Sequence, residues 1–187
     1  NPKVQLVGTS TALGFLKEIT NRDFYSITVK DGDTLSLGDK TLRFLALPNL
    51  HWPDTMYSYI EEDKVLITCD SFGSHYCHED ILHSTITDKE GYKRATKYYF
   101  DNIIGPFVHP FMVKALERIE SLEINMICPG HGPVHDGKES IDEIMSWYNE
   151  WCKKPEKTWN KLVVIPYVSA YGYTKELSEQ IIAGIKE

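Results

Sequence analysis

Three side chains able to bind a metal stand directly after apolar, strand-like runs: His51 after FLALPNL, Asp70 after KVLITC and His131 after INMICPG. A sheet holds strand ends firmly, while the loop that follows is free to aim a side chain at a ligand. Two imidazoles and a carboxylate with coordination positions left open suit non-haem iron. The two oxygens of a carboxylate can also bridge metals roughly 3.5–4 Å apart. Asp70 is the candidate bridge. His131 is the sharpest of the three, because it lies in Pro129-Gly130-His131-Gly132-Pro133. There prolines narrow the backbone and glycines permit tight turns and close approach. On spacing alone a plainer reading stays open, with His51 and His131 as turn histidines and Asp70 capping the turn in DSFG.

A second constellation is YVSAYGYTKELS, in which an apolar run leads into Ser169, Tyr171, Gly172, Tyr173 and Thr174, and a helical pattern starts at once. Backbone N–H groups at such a helix start can cradle a phosphate, with the hydroxyls of Ser169 and Thr174 as further donors. The helix dipole alone supplies about 0.3–1 kcal/mol at an exposed end. Several charge-assisted hydrogen bonds at roughly 1.5–3 kcal/mol each supply more. An ordinary helix capped by serine or threonine is the plain alternative.

The elements that must position these groups follow from periodicity. Alternating apolar residues predict strands over 4–9, 23–29, 41–48, 56–61 and 64–69, with DGD and LGDK as turns, so the first half reads mainly as sheet. Helices follow over 91–104, stopped at Gly105-Pro106, and over 110–121, opened by a proline. A strand over 124–128 and a helix over 139–152 complete the pattern. Strands wrapped by helices predict an α/β layered fold. The polar stretch 153–160 reads as a linker, 161–168 as a strand buried on both faces and 173–186 as a helix. Cys69 and Cys128, on predicted strands, read as buried small hydrophobes.

Composition narrows the function. The 187 residues include 20 basic and 27 acidic side chains, a net charge of −7, which argues against a general nucleic-acid or anionic-membrane binder. No apolar run approaches the roughly 18 residues of a membrane span. Four cysteines at irregular spacing, without a CxxC pair or a secretory segment, fit a reducing cytoplasm. The opening on Asn1 rather than methionine suggests an excerpt of a longer protein.

Taken in order, LHWPDTMYSYIEEDKVLITCDSFGSHYC, YYFDNIIGPF, ICPGHGP and IPYVSAYGYT resemble the flavodiiron proteins, or A-type flavoproteins. The resemblance spans nearly the whole chain. It keeps the order and the steps of 19 residues from His51 to Asp70 and 61 from Asp70 to His131. It implies a metallo-β-lactamase-like αββα sandwich, incomplete at its N-terminus, over 1–152. The linker 153–160 and the first βα unit of a flavodoxin-like FMN domain over 161–187 would follow. It further implies that His51 and His131 each ligate one iron of a non-haem diiron site, that Asp70 bridges the pair, and that Ser169, Tyr171, Gly172, Tyr173 and Thr174 form the FMN-phosphate loop. In such proteins electrons pass from a donor such as rubredoxin, or from a reduced deazaflavin, through FMN to the irons. Dioxygen is there reduced to water or nitric oxide to nitrous oxide, within head-to-tail homodimers.

This sequence departs from the pattern in one respect. The family's HxExDH ligand segment lies just upstream of the stretch resembling NPKVQLVG and does not occur here, nor does most of the flavodoxin domain. The chain alone is therefore expected to bind metal weakly and to be inactive as a reductase. Two other readings compete: a zinc hydrolase of the metallo-β-lactamase superfamily, and a non-catalytic dimerisation or electron-docking module. His75, His78 and His83 match no standard ligand frame and read as exposed or supporting residues, with a residual zinc site the alternative. His109 reads as structural. His135 is expected either to bond within its own loop and orient His131 or to face solvent. Trp147, Tyr148 and Trp151 read as core or interface aromatics, and Lys153, Lys154, Lys157 and Lys161 as a solvated basic run or a dock for an acidic donor.

Overall fold

The computed structural model describes residues 4–154 and 163–186. The chain divides into two units, Asn1–Lys153 and Lys154–Glu187. In the first, β1 (Gln5–Gly8) and β2 (Tyr25–Thr28) pair in parallel around α1 (Ser10–Thr20). Helix α1 lies inside the half expected to be mainly sheet. Its boundary signals are local: the Thr9 hydroxyl accepts from the Ala12 N–H at 3.1 Å, and Asn21 ends the helix in a left-handed conformation, φ 49°.

Six further strands form one mixed sheet in chain order: β3 (Thr34–Ser36), β4 (Thr41–Ala46), β5 (Met56–Ile60), β6 (Val65–Cys69), β7 (Met126–Pro129) and β8 (His135–Asp136). Only β6 and β7 run parallel, which requires the long helical crossover between them. Register places Leu45 opposite Tyr57, Tyr59 opposite Leu66 and Leu66 opposite Ile127, so these five share one face. That face packs against Tyr99, Ile104, Met112, Ile119, Ile144 and Tyr148 from the crossover and from α4 (Gly137–Trp151). Phe44, adjacent to Leu45 and pointing the opposite way, is buried as well, so β4 is covered on both faces.

The crossover differs from two simple helices. It winds as α2 (Lys89–Tyr99), a wide turn over Phe100–Ile104, a tight turn over Gly105–Phe107, a second wide turn over Val108–Met112 and α3 (Val113–Ile119). Winding continues through Gly105-Pro106, the expected stop, because Pro106 sits at the start of the tight turn, where its missing N–H costs nothing. The break falls at His109 (φ −110°, ψ 116°), which the following Pro110 drives out of helical geometry. Trp147 and Trp151 stack at 5.8 Å beside buried Tyr148, as core aromatics do.

The second unit carries α5 (Tyr173–Lys186). The strand expected over 161–168 is not formed: 161 and 162 lie outside the described residues, and 163–168 are irregular, with Val164 and Val168 exposed. A lone strand has no neighbour to satisfy its backbone, and among the described residues this unit offers none. Most of the expected linker, 155–160, and Lys157 and Lys161 also lie outside the described residues. Among the described residues no helix is long and apolar enough to cross a membrane.

The two faces of β6 give a direct check on the packing. Leu66→Ala should cost about 2–5 kcal/mol in denaturant unfolding, because its side chain is fully buried. Ile67→Ala, on the exposed face, should change stability by no more than about 0.5 kcal/mol.

Candidate metal centre at the strand ends

His51 lies in the loop between β4 and β5. Leu50 anchors this loop with no exposed surface, and Thr55 closes it: its hydroxyl donates to the Trp52 carbonyl at 2.9 Å, and its own carbonyl accepts from the Leu47 N–H at 3.0 Å. The imidazole projects between the rings of Trp52 and Phe107, each at 6.0 Å.

Asp70 follows β6 at an irregularity. The β6–β7 register shifts between Ile67 and Cys69, a bulge of the kind that re-aims a side chain at a strand end. Cys69 (φ 55°) and Phe72 (φ 65°) flank Asp70 in left-handed conformations, which cost a non-glycine residue about 1–2 kcal/mol. The turn holds because its backbone is bonded on every side. The Thr68 hydroxyl donates to the Ser71 carbonyl at 2.8 Å, the Gly73 N–H to the Asp70 carbonyl at 3.3 Å, and the Phe72 N–H to the Tyr148 hydroxyl at 2.8 Å.

His131 is brought alongside by glycine. The Gly130 N–H donates to the Cys69 carbonyl, and the Ser74 N–H to the His131 carbonyl at 3.2 Å. A Cβ on Gly130 would stand 3.1 Å from the Cys69 carbonyl oxygen and 3.3 Å from Asp70 Oδ1; one on Gly73 would stand 3.0 Å from the carbonyl oxygens of both Asp70 and His131. A Cβ on Gly132 (φ 83°) would fall 2.4 Å from Ser74 Oγ.

The three side chains meet. His51 Nε2 lies 3.0 Å from Asp70 Oδ2, and His131 Nε2 lies 3.3 Å from Asp70 Oδ1. Each imidazole therefore takes a different oxygen of one carboxylate. Among the described residues no three His, Cys, Asp or Glu side chains converge on a single ion position. The trio is ordered in series, imidazole–carboxylate–imidazole. Asp70 is mostly buried, whereas His131 is half exposed, so the group lies near the surface.

His75 is exposed and supports the trio, as expected, whereas the place of Tyr99 beneath it was not anticipated. His75 packs edge-on against both His131 (5.4 Å) and Tyr99 (4.8 Å), and Tyr99, buried beneath them, has its phenol pushed up by burial and by the charge of Asp70. The close apposition of the two loops was signalled only by the glycines around His131. His75, His78 and His83 go to different places: His78 bonds the Leu82 carbonyl and Thr85, while His83 is buried and stacked on His135 at 5.5 Å. His83 is thus neither exposed nor beside the trio. His135 does not face solvent or bond within its own loop. It is fully buried, and its Nε2 lies 3.0 Å from the Phe72 carbonyl oxygen. The expectation of buried cysteines also fails: Cys69 is exposed and Cys128 only half-buried, because both lie on the face of the sheet that carries exposed Ile67. His109 is exposed at the crossover kink.

The mixed sheet, the helical crossover and a His–Asp–His series at the strand ends define a metallo-β-lactamase-like domain, and comparison with known proteins agrees. Residues 1–132 match the ODP family beta lactamase model. The flavo-diiron protein FprA2 of Clostridium acetobutylicum is 35% identical over 187 residues, covering 99% of this chain and 46% of that protein. The flavodiiron protein of Giardia intestinalis superposes with a TM-score of 0.75 at 32% identity, over 79% of this chain and 36% of that one. Rubredoxin oxygen:oxidoreductase from the anaerobe Desulfovibrio gigas gives 0.75 at 30%, over 79% and 37%. The chain belongs to the ODP family of beta-lactamase-like domains, is similar to part of the flavodiiron proteins, and spans less than half the length of these relatives.

Two measurements follow. Gly132→Ala should destabilise by several kcal/mol, since it combines left-handed strain with the clash on Ser74. Gly32→Ala (φ 81°), with open space around its Cβ, should cost only about 1–2 kcal/mol in the same unfolding assay. Burial, helped by the charge of Lys89, holds the His83 imidazole down at about 4. The unfolded imidazole takes a proton near pH 6.5 and the folded one does not, so stability is full above that pH and falls between pH 6.5 and 4. At roughly 1.4 kcal/mol per pKa unit the loss is at most about 3 kcal/mol, and the Glu143 carboxylate 3.4 Å from Nε2, which favours the protonated ring, reduces it. His83→Gln should flatten that slope in unfolding measured across the window.

Proposed function

We propose that this chain contributes His51, Asp70 and His131 to the diiron centre of a cytoplasmic flavodiiron oxidoreductase, with one imidazole on each iron and the Asp70 carboxylate between them. The reading rests on one observation: three residues from separate segments place two Nε2 atoms at opposite oxygens of the same carboxylate. That donor set suits iron, and its in-series order suits two ions that share a bridge better than one ion held by three ligands. A bound iron pair would supply electrons and open coordination positions for reducing dioxygen to water or nitric oxide to nitrous oxide.

The chain's own residues do the rest. Asp70 offers one oxygen to each side, and its geometry is fixed by the bonded turn from Thr68 to Ser74. His51 and His131 would each present Nε2 to a metal, one on either side of that carboxylate. Trp52 and Phe107 flank the His51 ring, and His75 and Tyr99 flank that of His131.

In the second unit we assign Ser169, Tyr171, Gly172, Tyr173 and Thr174 to the phosphate of FMN. Gly172 (φ 89°) makes the turn into α5, and its carbonyl accepts the Glu176 N–H at 3.0 Å. The Ser169 hydroxyl is buried and has no hydrogen-bond partner among the described residues, a group that a phosphate oxygen would satisfy. FMN would pass electrons from rubredoxin or a reduced deazaflavin, within a head-to-tail homodimer. Residues 161–187 are then the start of a flavodoxin-like domain and 1–152 part of the β-lactamase-like one.

Three ligands shared by two ions leave each iron poorly coordinated. Anaerobic ferrous titration of the 187-residue chain should therefore show weak uptake and no reductase activity. Asp70→Ala should weaken that uptake at least tenfold further, and Lys138→Ala, on the exposed face of α4, should leave it unchanged. Tight uptake of two irons would contradict the weak-binding expectation, and uptake indifferent to Asp70 would contradict the assignment.

A further inference from the structure

The segments that carry Asp70 and His131 are joined by three rungs. Two are backbone bonds, from the Gly130 N–H to the Cys69 carbonyl and from the Ser74 N–H to the His131 carbonyl. The third is a side chain: His135 Nε2 lies 3.0 Å from the carbonyl oxygen of Phe72, four residues past His131 at one end and two past Asp70 at the other. A carbonyl only accepts, so Nε2 carries the proton, and full burial, which disfavours the charged ring, leaves Nδ1 bare. Nδ1 is buried and has no hydrogen-bond partner among the described residues. His135 is fully buried, His83 stacks on its ring at 5.5 Å, and Tyr92 flanks it at 6.4 Å, so the imidazole has no freedom to turn away.

The residue it grips is the strained one. Phe72 is fully buried at φ 65°, its N–H is held by the Tyr148 hydroxyl and its ring packs on Tyr148 at 4.6 Å. The peptide groups on either side of Phe72 are thus fixed by two side chains, one from β8 and one from α4. A left-handed phenylalanine that relaxed toward the right-handed region would swing Asp70 away from His131.

We propose that His135, as its neutral Nε2–H tautomer, is a positioning residue that sets the Asp70 carboxylate against His131 by clamping the Phe72 carbonyl. This rests on the metal-ligand role assigned above to Asp70 and His131. Partners that orient metal ligands from outside the coordination shell typically govern 10- to 100-fold of metal affinity. His135 acts one step further out, through the backbone of the bridging residue.

The test uses Co(II), read by its visible absorption, on the full 187-residue chain. A glutamine amide nitrogen reaches the position of Nε2, whereas that of asparagine reaches only the position of Nδ1. His135→Asn should therefore weaken cobalt binding about 10- to 100-fold, and His135→Gln should stay within about threefold of the parent. Equal losses in both variants would mean a merely structural role, and no loss in either would remove the role altogether. If neither variant folds, 15N NMR of the unmodified chain decides. Imidazole shifts of an Nε2–H tautomer that move on Co(II) or Zn(II) addition support the clamp, while an Nδ1–H tautomer or indifference to metal overturns it. Failure of the parent site reads differently, as cobalt binding in the unmodified chain that Asp70→Ala leaves unchanged.

Discussion

The arrangement depends on one carboxylate being held between two imidazoles that come from distant parts of the chain. Asp70 reaches that position because β6 and β7 are parallel neighbours that finish at the same end of the sheet, so the loops that follow them emerge side by side. The bulge at the end of β6 then turns Asp70 toward the loop after β7 instead of leaving it in the strand's alternation. Without glycine at 73, 130 and 132, carbonyl oxygens and the Ser74 side chain would block the approach. Sheet topology brings the groups to within a few residues of one another, and missing side chains close the last ångströms.

The cost of the geometry is local backbone strain, and the core on which the turn rests keeps it in place. Phe72 is at once a strained residue, a member of the main apolar cluster and the target of two side-chain hydrogen bonds. Tyr148 couples it to α4, whose own burial against the sheet is secured by Ile141 and Ile144. Stability and site geometry are therefore not separable here: loosening the packing of α4 on the sheet would also release the turn that aims Asp70.

Much of this was legible in the sequence. His51, Asp70 and His131 stand just beyond apolar runs that do form β4, β6 and β7, and the glycine–proline frame around His131 anticipates a tightly constrained loop. Other features were not. Helix α1 hides in a run whose Gly14 and threonines weaken helical signal, and only its caps at Thr9 and Asn21 disclose it. The crossover break moved from Gly105 to His109 because proline restricts the residue before it more than it prevents a first turn. The 163–168 run is apolar enough for a buried strand, yet strands need partners, which hydropathy alone does not supply. His135 reads as one histidine among several, since nothing in its neighbours says that its hydrogen-bond partner lies 63 residues earlier.

The central claim is geometric: two cations flank Asp70, one toward His51 and one toward His131. The most direct measurement is a crystal structure of the chain soaked with zinc and phased for anomalous scattering at the zinc edge. The account predicts two peaks on opposite sides of the Asp70 carboxylate, roughly 3.5–4 Å apart. A single peak bound by all three residues, or peaks that avoid Asp70, would contradict it.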